Sequence, residues 1–198
     1  MERPATQPPG HGDDETPAPG ELELIRSFLS LHDHPPGDDD GSAPSAESLE
    51  WWLHERGLLE PSEEPSLRDL RWALGILEAM RTKVLEHTGA PRDPEAIESL
   101  NVAARDTGLR LCFGCDDDGR LHTSAKGIQG AVGRLLGLMF LAELDGTWRH
   151  FKECSNPTCR SIFYDRSKNH SGRWCSMASC GNRAKVRAFR ERERSAQS

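Results

Sequence analysis

Residues 154–180 read CSNPTCRSIFYDRSKNHSGRWCSMASC, with cysteines at 154, 159, 175 and 180. Two CxxxxC pairs stand fifteen residues apart. A ligand pair, a loop of that length and a second ligand pair is the spacing of a zinc module. Four thiolates fill the tetrahedral shell of a d10 ion and leave no position for water, so Cys154, Cys159, Cys175 and Cys180 predict one structural Zn2+ and argue against hydrolytic catalysis. Ser155-Asn156-Pro157-Thr158 has the turn chemistry to bring the first pair onto one ion. A helix beginning at the second pair turns its positive end towards the thiolates. Gly181 either lets the backbone approach a sulfur or serves packing.

Working outward, the segment 148–198 is basic, with 12 Lys or Arg against 4 Asp or Glu. Residues 1–147 carry 13 against 28, so the overall charge of −7 conceals two opposite halves. That division fits a basic end that meets a polyanion, and it fits equally two halves that attract each other. Large apolar residues in the basic segment are few: Trp148, Phe151, Ile162, Phe163, Tyr164, Trp174, Val186 and Phe189. They are too few for an independent core, and structural zinc contributes on the order of 10–16 kcal/mol in comparable modules. If 176–194 is one helix, Arg183, Arg187, Arg190 and Arg194 share a face suited to a phosphate backbone. Val186 and Phe189 beside them are expected to hold the helix against the zinc loop. Arg166, Lys168 and Arg173 add charge from the loop before it.

The residues 21–147 read as a helical domain. Leu22, Ile25, Phe28 and Leu29 are spaced for an amphipathic helix over 21–32. Ser45 is placed to cap a short helix carrying Leu49, Trp52 and Leu53. Ser66, with Asp69 three residues on, starts a long helix striped with Leu67, Leu70, Leu74, Leu77 and Val84. Asp93-Pro94 is an N-cap and first helical position for another helix, through Ile97, Leu100 and Val102 to about 107. LRLCFGC, DDDG and RLHTSA then predict a β-hairpin. Gly127–Leu144 returns to helix, and its glycines at 127, 130, 133 and 137 predict closely packed neighbours. The fold class is therefore mainly α (α+β), a helical domain with one β-hairpin followed by a small four-cysteine zinc finger that ends in a basic helix. Residues 1–20 are rich in Pro, Gly, Asp and Glu and are expected to form a disordered tail.

The opening MERPATQPPG has no apolar segment of a signal peptide, and the run Leu135–Ala142 is too short to span a bilayer. A soluble, cytoplasmic protein without membrane association is expected. Cys112 and Cys115 form a CxxC, read here as buried, inert thiols, because three aspartates follow them. His150 and His170 flank a ligand set already complete. GIQGAVG lacks the residues of a phosphate loop. No catalytic arrangement is found, so no enzymatic activity is expected.

The tetrapeptide Cys180-Gly181-Asn182-Arg183, with CSNPTC, IFYDRSKN and RWCSMASCGNRAK, resembles the CGNR zinc-finger family over most of 148–198. ELELIRSFLS, WWLHERGLL and LDGTWRHFKEC resemble the ABATE-type domain that precedes such fingers. The resemblance implies a transcription regulator with the finger as its DNA-binding element. The arginine stripe, its neighbours on the helix and the charges of the preceding loop make Lys168, Arg173, Asn182, Arg183, Lys185, Arg187, Arg190 and Arg194 the candidate DNA contacts. The resemblance also implies that the N-terminal domain senses a small-molecule or protein effector. A zinc-stabilised protein-interaction module without DNA binding is the alternative. No oligomeric state follows from the sequence.

Overall fold

A computed structural model describes residues 17–33, 44–113 and 120–196. Helix α1 spans Leu22–Leu29 and tightens into a 3₁₀ turn. Helix α2, Ala46–Glu55, begins where the Ser45 hydroxyl accepts the Ser48 amide, and α3, Leu67–Leu85, where Ser66 accepts the Asp69 amide. Helix α4, Pro94–Asp106, is capped by Asp93, whose carboxylate accepts the Glu95 and Ala96 amides. Each cap satisfies amides that the first helical turn leaves open. Strands β1 (Arg110–Cys112) and β2 (Arg120–His122) pair antiparallel, with Leu111 opposite Leu121.

Helix α5, Gly127–Leu144, packs against α1, α3 and α4 in the centre of the body. Its glycines admit the β1–β2 hairpin. A Cβ at Gly133 would stand 2.6 Å from Thr123 Oγ1, and one at Gly130 2.7 Å from the Ala125 carbonyl. Gly137 lies under Leu109 and Leu121. α5 is the one described helix long and apolar enough to cross a membrane, and half of it is buried inside the fold. Ile25, Phe28, Leu49, Leu53, Leu77, Met80, Val84 and Leu135 form the core around it.

A second antiparallel hairpin, absent from the sequence expectation of one, follows α5. Strands β3 (Phe151–Glu153) and β4 (Ile162–Tyr164) pair with Phe151 opposite Tyr164. Trp148, Phe151, Ile162 and Tyr164 join the same core as the helices. Phe151 sits 5.1 Å from Trp148 and 5.2 Å from Tyr164, ring to ring. Each buried side chain of this size contributes about 1.5–3 kcal/mol, so the finger draws on the helical core as well as on metal. Polar contacts fix the docking: His87 Nδ1 donates to the Phe151 carbonyl at 2.9 Å and Ser30 Oγ to that of Ile162 at 3.2 Å.

Arg81 of α3 sits at this junction, buried to 3% exposure. Its Nη1 donates to the Leu29 carbonyl at the end of α1 (2.5 Å), and its Nη2 to the Arg160 carbonyl in the β3–β4 loop (2.7 Å). Glu153 Oε1, 3.8 Å away, balances its charge.

Three expectations change. Ala18, placed in the tail by composition, is buried, and its amide donates to Glu23 at 2.7 Å; residues 1–16 lie outside the described residues. Leu67 and Val102 are exposed, so Ala73, Ile76 and Met80 of α3 and Ala103 of α4 complete the buried faces instead. Cys112 is disulfide-bonded rather than a buried thiol. It ends β1 partly buried; Cys115 and the DDDG turn lie outside the described residues.

Replacing Arg81 by Met keeps the volume and removes the donors to the buried Leu29 carbonyl and the partly buried Arg160 carbonyl. The variant is expected to lose roughly 2–4 kcal/mol of stability, measured by urea unfolding of the zinc-loaded chain.

Candidate metal centre

The β3–β4 loop carries the first cysteine pair. Cys154 continues from β3, its amide donating to the Ser161 carbonyl at 2.8 Å, and the Cys159 amide closes the turn on the Asn156 carbonyl at 2.9 Å. Arg160 then takes a left-handed φ of 54° that returns the chain to β4. The second pair lies beyond the loop 165–174, which folds around one buried carboxylate. Asp165 accepts Lys152 Nζ at 2.7 Å, the Ser167 amide at 3.0 Å and the Gly172 amide at 2.8 Å. Burial alone raises the Asp165 carboxyl, but these hydrogen bonds outweigh it and hold its pKa below the ordinary value. Gly172 has no room for a side chain, because a Cβ there would meet the carboxylate at 2.7 Å. Lys152 Nζ also donates to the His170 carbonyl, and the Ser155 amide to that of Arg173 at 2.8 Å.

Cys175 precedes a π turn, Met177–Gly181, that Ser176 caps through the Ser179 amide; Cys180 lies within it. The expected single helix from 176 is therefore divided. The π turn accommodates Cys180 before α6, Asn182–Ala196, begins. Gly181 is buried against the Met177 thioether and Trp174, so its role is packing.

All four cysteine sulfurs lie within 4.8 Å of one another. Cys159 and Cys175 are 3.6 Å apart, near the edge of about 3.8 Å expected for a tetrahedron with zinc–sulfur bonds of about 2.3 Å. Hydrogen bonds from Cys159 and Cys175 lower the Cys154 thiol to about 4, whereas bonding to Cys154 and Cys159 holds Cys175 protonated. Negative charges gathered this closely repel one another, and a divalent cation removes that conflict. The donor set, spacing and closure fit one structural zinc ion.

Asn156 was not foreseen as more than a turn residue. It is 2% exposed, and its Nδ2 donates to Cys180 Sγ at 3.4 Å. Its Oδ1 accepts Arg187 Nη2 and Thr158 Oγ1, both at 3.3 Å. A buried amide one residue from a proline, between two ligands, is the signal that could have marked it.

The predicted nucleic-acid residues are placed on two elements. Arg183, Arg187, Arg190 and Arg194 line one side of α6 with Asn182, Val186 and Glu191. Arg187 is partly committed to Asn156, and Asn182 Nδ2 to the Ala178 carbonyl at 3.0 Å. Lys185 lies on the same helix and is exposed. Lys168 is exposed on the loop, and the Arg173 guanidinium stands over the Trp174 ring at 5.5 Å. Contrary to expectation, Val186 and Phe189 do not hold α6 down; they are 49% and 54% exposed. Residues 185–195 are exposed throughout, and the main described neighbour of α6 is the π turn.

Two family models match. Residues 150–193 match the CGNR zinc finger, and residues 11–143 match ABATE, described as "putative stress-induced transcription regulator". The chain belongs to the ABATE family and carries a CGNR zinc finger. No curated protein matches the sequence. In this ABATE protein the CGNR tetrapeptide runs from the last zinc ligand into the first turn of α6, so the motif is the joint between metal and helix.

Elemental analysis is expected to find one zinc per chain. Asn156→Ala should reduce zinc affinity about 10–100-fold by removing a support of Cys180, measured by competition with a chromogenic chelator. Equal affinity would show that Asn156 does not support the ligand.

Proposed function

We propose that this ABATE protein is a DNA-binding transcription regulator in which the zinc centre presents α6 to duplex DNA. The observation that carries the reading is the helix itself: fifteen residues with four arginines along one side and little packed against it. A helix with so little burial gains little from tertiary packing, and α6 departs instead from a metal-fixed base. At about 1.5 Å per residue it is a rod of roughly 22 Å. The major groove of B-DNA, about 12 Å wide, admits such a rod, whereas the deep, narrow major groove of A-form RNA does not. Asn182 and Val186 lie among the arginines, the first suited to a base edge and the second to a thymine methyl. Lys168 and Arg173 on the loop, with Lys185 on the helix, extend the positive surface.

The closed ligand set is assigned a structural role and no catalytic one. The acidic helical body is assigned the sensing of a small-molecule or protein effector. The four free cysteines of the metal centre suit a reducing cytoplasm, whereas the Cys112 disulfide does not. The exposed Val186 and Phe189 favour one second reading, a zinc-stabilised module whose α6 docks on a protein.

Fluorescence anisotropy of the full zinc-loaded chain on duplex DNA, over a salt series, separates the two. A log–log slope of about −3 to −4 is expected, roughly −0.9 for each phosphate neutralised. Arg190→Ala and Arg194→Ala should each flatten the slope by about one while leaving zinc content intact. Salt-independent binding, or none at low salt, would favour the protein-docking reading.

A further inference from the structure

The body carries a second exposed surface, apolar and separate from the finger's charges. On α5, Phe140, Leu141 and Leu144 follow Gly137 by three, four and seven residues, so all four share one side of the helix. Gly137 is covered by the hairpin through Leu109 and Leu121. Beyond it the cover ends and the three larger side chains emerge. The hairpin continues the surface. Leu111 is paired with Leu121 and shares its face, and Phe113 extends the alternation from Leu109 and Leu111.

These five residues, Leu111, Phe113, Phe140, Leu141 and Leu144, are 47–87% exposed. At on the order of 200 Å² for each side chain, they present roughly 600 Å² of apolar area. A typical monomer's largest patch is no bigger than this, and each partner in a standard interface buries about 800 Å². The patch is thus most of one half of a stable interface.

The chain's other segments offer little apolar surface to match it: residues 1–16 (MERPATQPPGHGDDET), 34–43 (HPPGDDDGSA), 114–119 (GCDDDG) and 197–198 (QS) contain no large apolar side chain except Met1. A second copy, in contrast, brings an equal apolar area and the same two rows, helix and strand. A twofold axis through the patch lays one row against the other, and such a closed, self-complementary contact leaves no patch over.

We propose that this ABATE protein is a symmetric dimer joined through the C-terminal half of α5 and the β1–β2 hairpin. α5 leads within a few residues into Trp148 and β3, so the dimer carries both fingers on one rigid base. The proposal stands independently of what α6 binds.

Sedimentation velocity of the full zinc-loaded chain, from about 1 to 100 µM, tests it. The expected species has twice the 22.0 kDa chain mass. Leu144→Glu and Phe113→Ser, each made separately, should weaken dimerisation at least about 30-fold. Both positions are exposed, so circular dichroism should show the wild-type helical spectrum; if one variant fails to fold, the other gives the reading. Trp51→Ser, an exposed apolar control on α2, should leave the dimer intact. A wild-type chain that stays at 22.0 kDa throughout overturns the proposal, including when it binds phospholipid vesicles or another protein instead. So does a dimer that both patch variants leave unchanged.

Discussion

The β3–β4 hairpin belongs to two structures at once, and the rest of the molecule depends on that double membership. Its side chains Phe151, Ile162 and Tyr164 lie in the core built by the helices. Its connecting loop holds Cys154 and Cys159. The metal cannot therefore shift relative to the body without unpacking the hairpin, and the hairpin cannot leave the core without disturbing two ligands. Arg81 reinforces the arrangement by spending its donors on carbonyls from both sides, Leu29 and Arg160. A buried guanidinium is costly unless its partners are all in place, so it favours one docking geometry over near alternatives.

Much of the helical body was legible because its signals are local. Ser45, Ser66 and Asp93-Pro94 cap the helices they were expected to cap. The glycines of α5 mark the face that the first hairpin crosses. The metal ligands were legible for the same reason, since spacing along the chain is nearly the whole of the information. What escaped depends on contacts distant in sequence. Nothing near Arg81 distinguishes it from an exposed helical arginine, because its partners lie 52 and 79 residues away. The second hairpin has strands of only three residues and is stabilised by the core beneath it. Periodicity put Val186 and Phe189 on a flank of α6 but carries no information about whether anything covers that flank.

The chemistry between zinc and α6 is short and directional. Asn156 reaches a ligand, Cys180, with one end of its amide and Arg187 of the helix with the other. One planar group thus relates the sulfur shell to a guanidinium on the surface proposed for DNA. Arg187 differs in this from Arg190 and Arg194, because any phosphate it meets competes with Asn156. The π turn has a related effect. By taking up Cys180 before α6 begins, it lets the helix start from a ligand and still leave the module in its own direction.

An exposed helix on a rigid mount differs from one on a flexible tether. A tethered helix must lose orientational freedom when it binds, whereas a helix that starts beside a metal ligand would have less of that freedom to lose. The large charge difference between the halves then has a physical role. On the DNA-binding reading proposed above, the acidic body would repel a nucleic-acid backbone and the basic helix would attract it, turning an approaching duplex towards α6 before contact. Because the body and the finger share one core, a ligand that altered the packing of α1 or α3 would act on the position of α6 through Leu29, Arg81 and Arg160. No separate hinge is required for that coupling, because the same buried residues that hold the finger in place are the ones through which it could be moved.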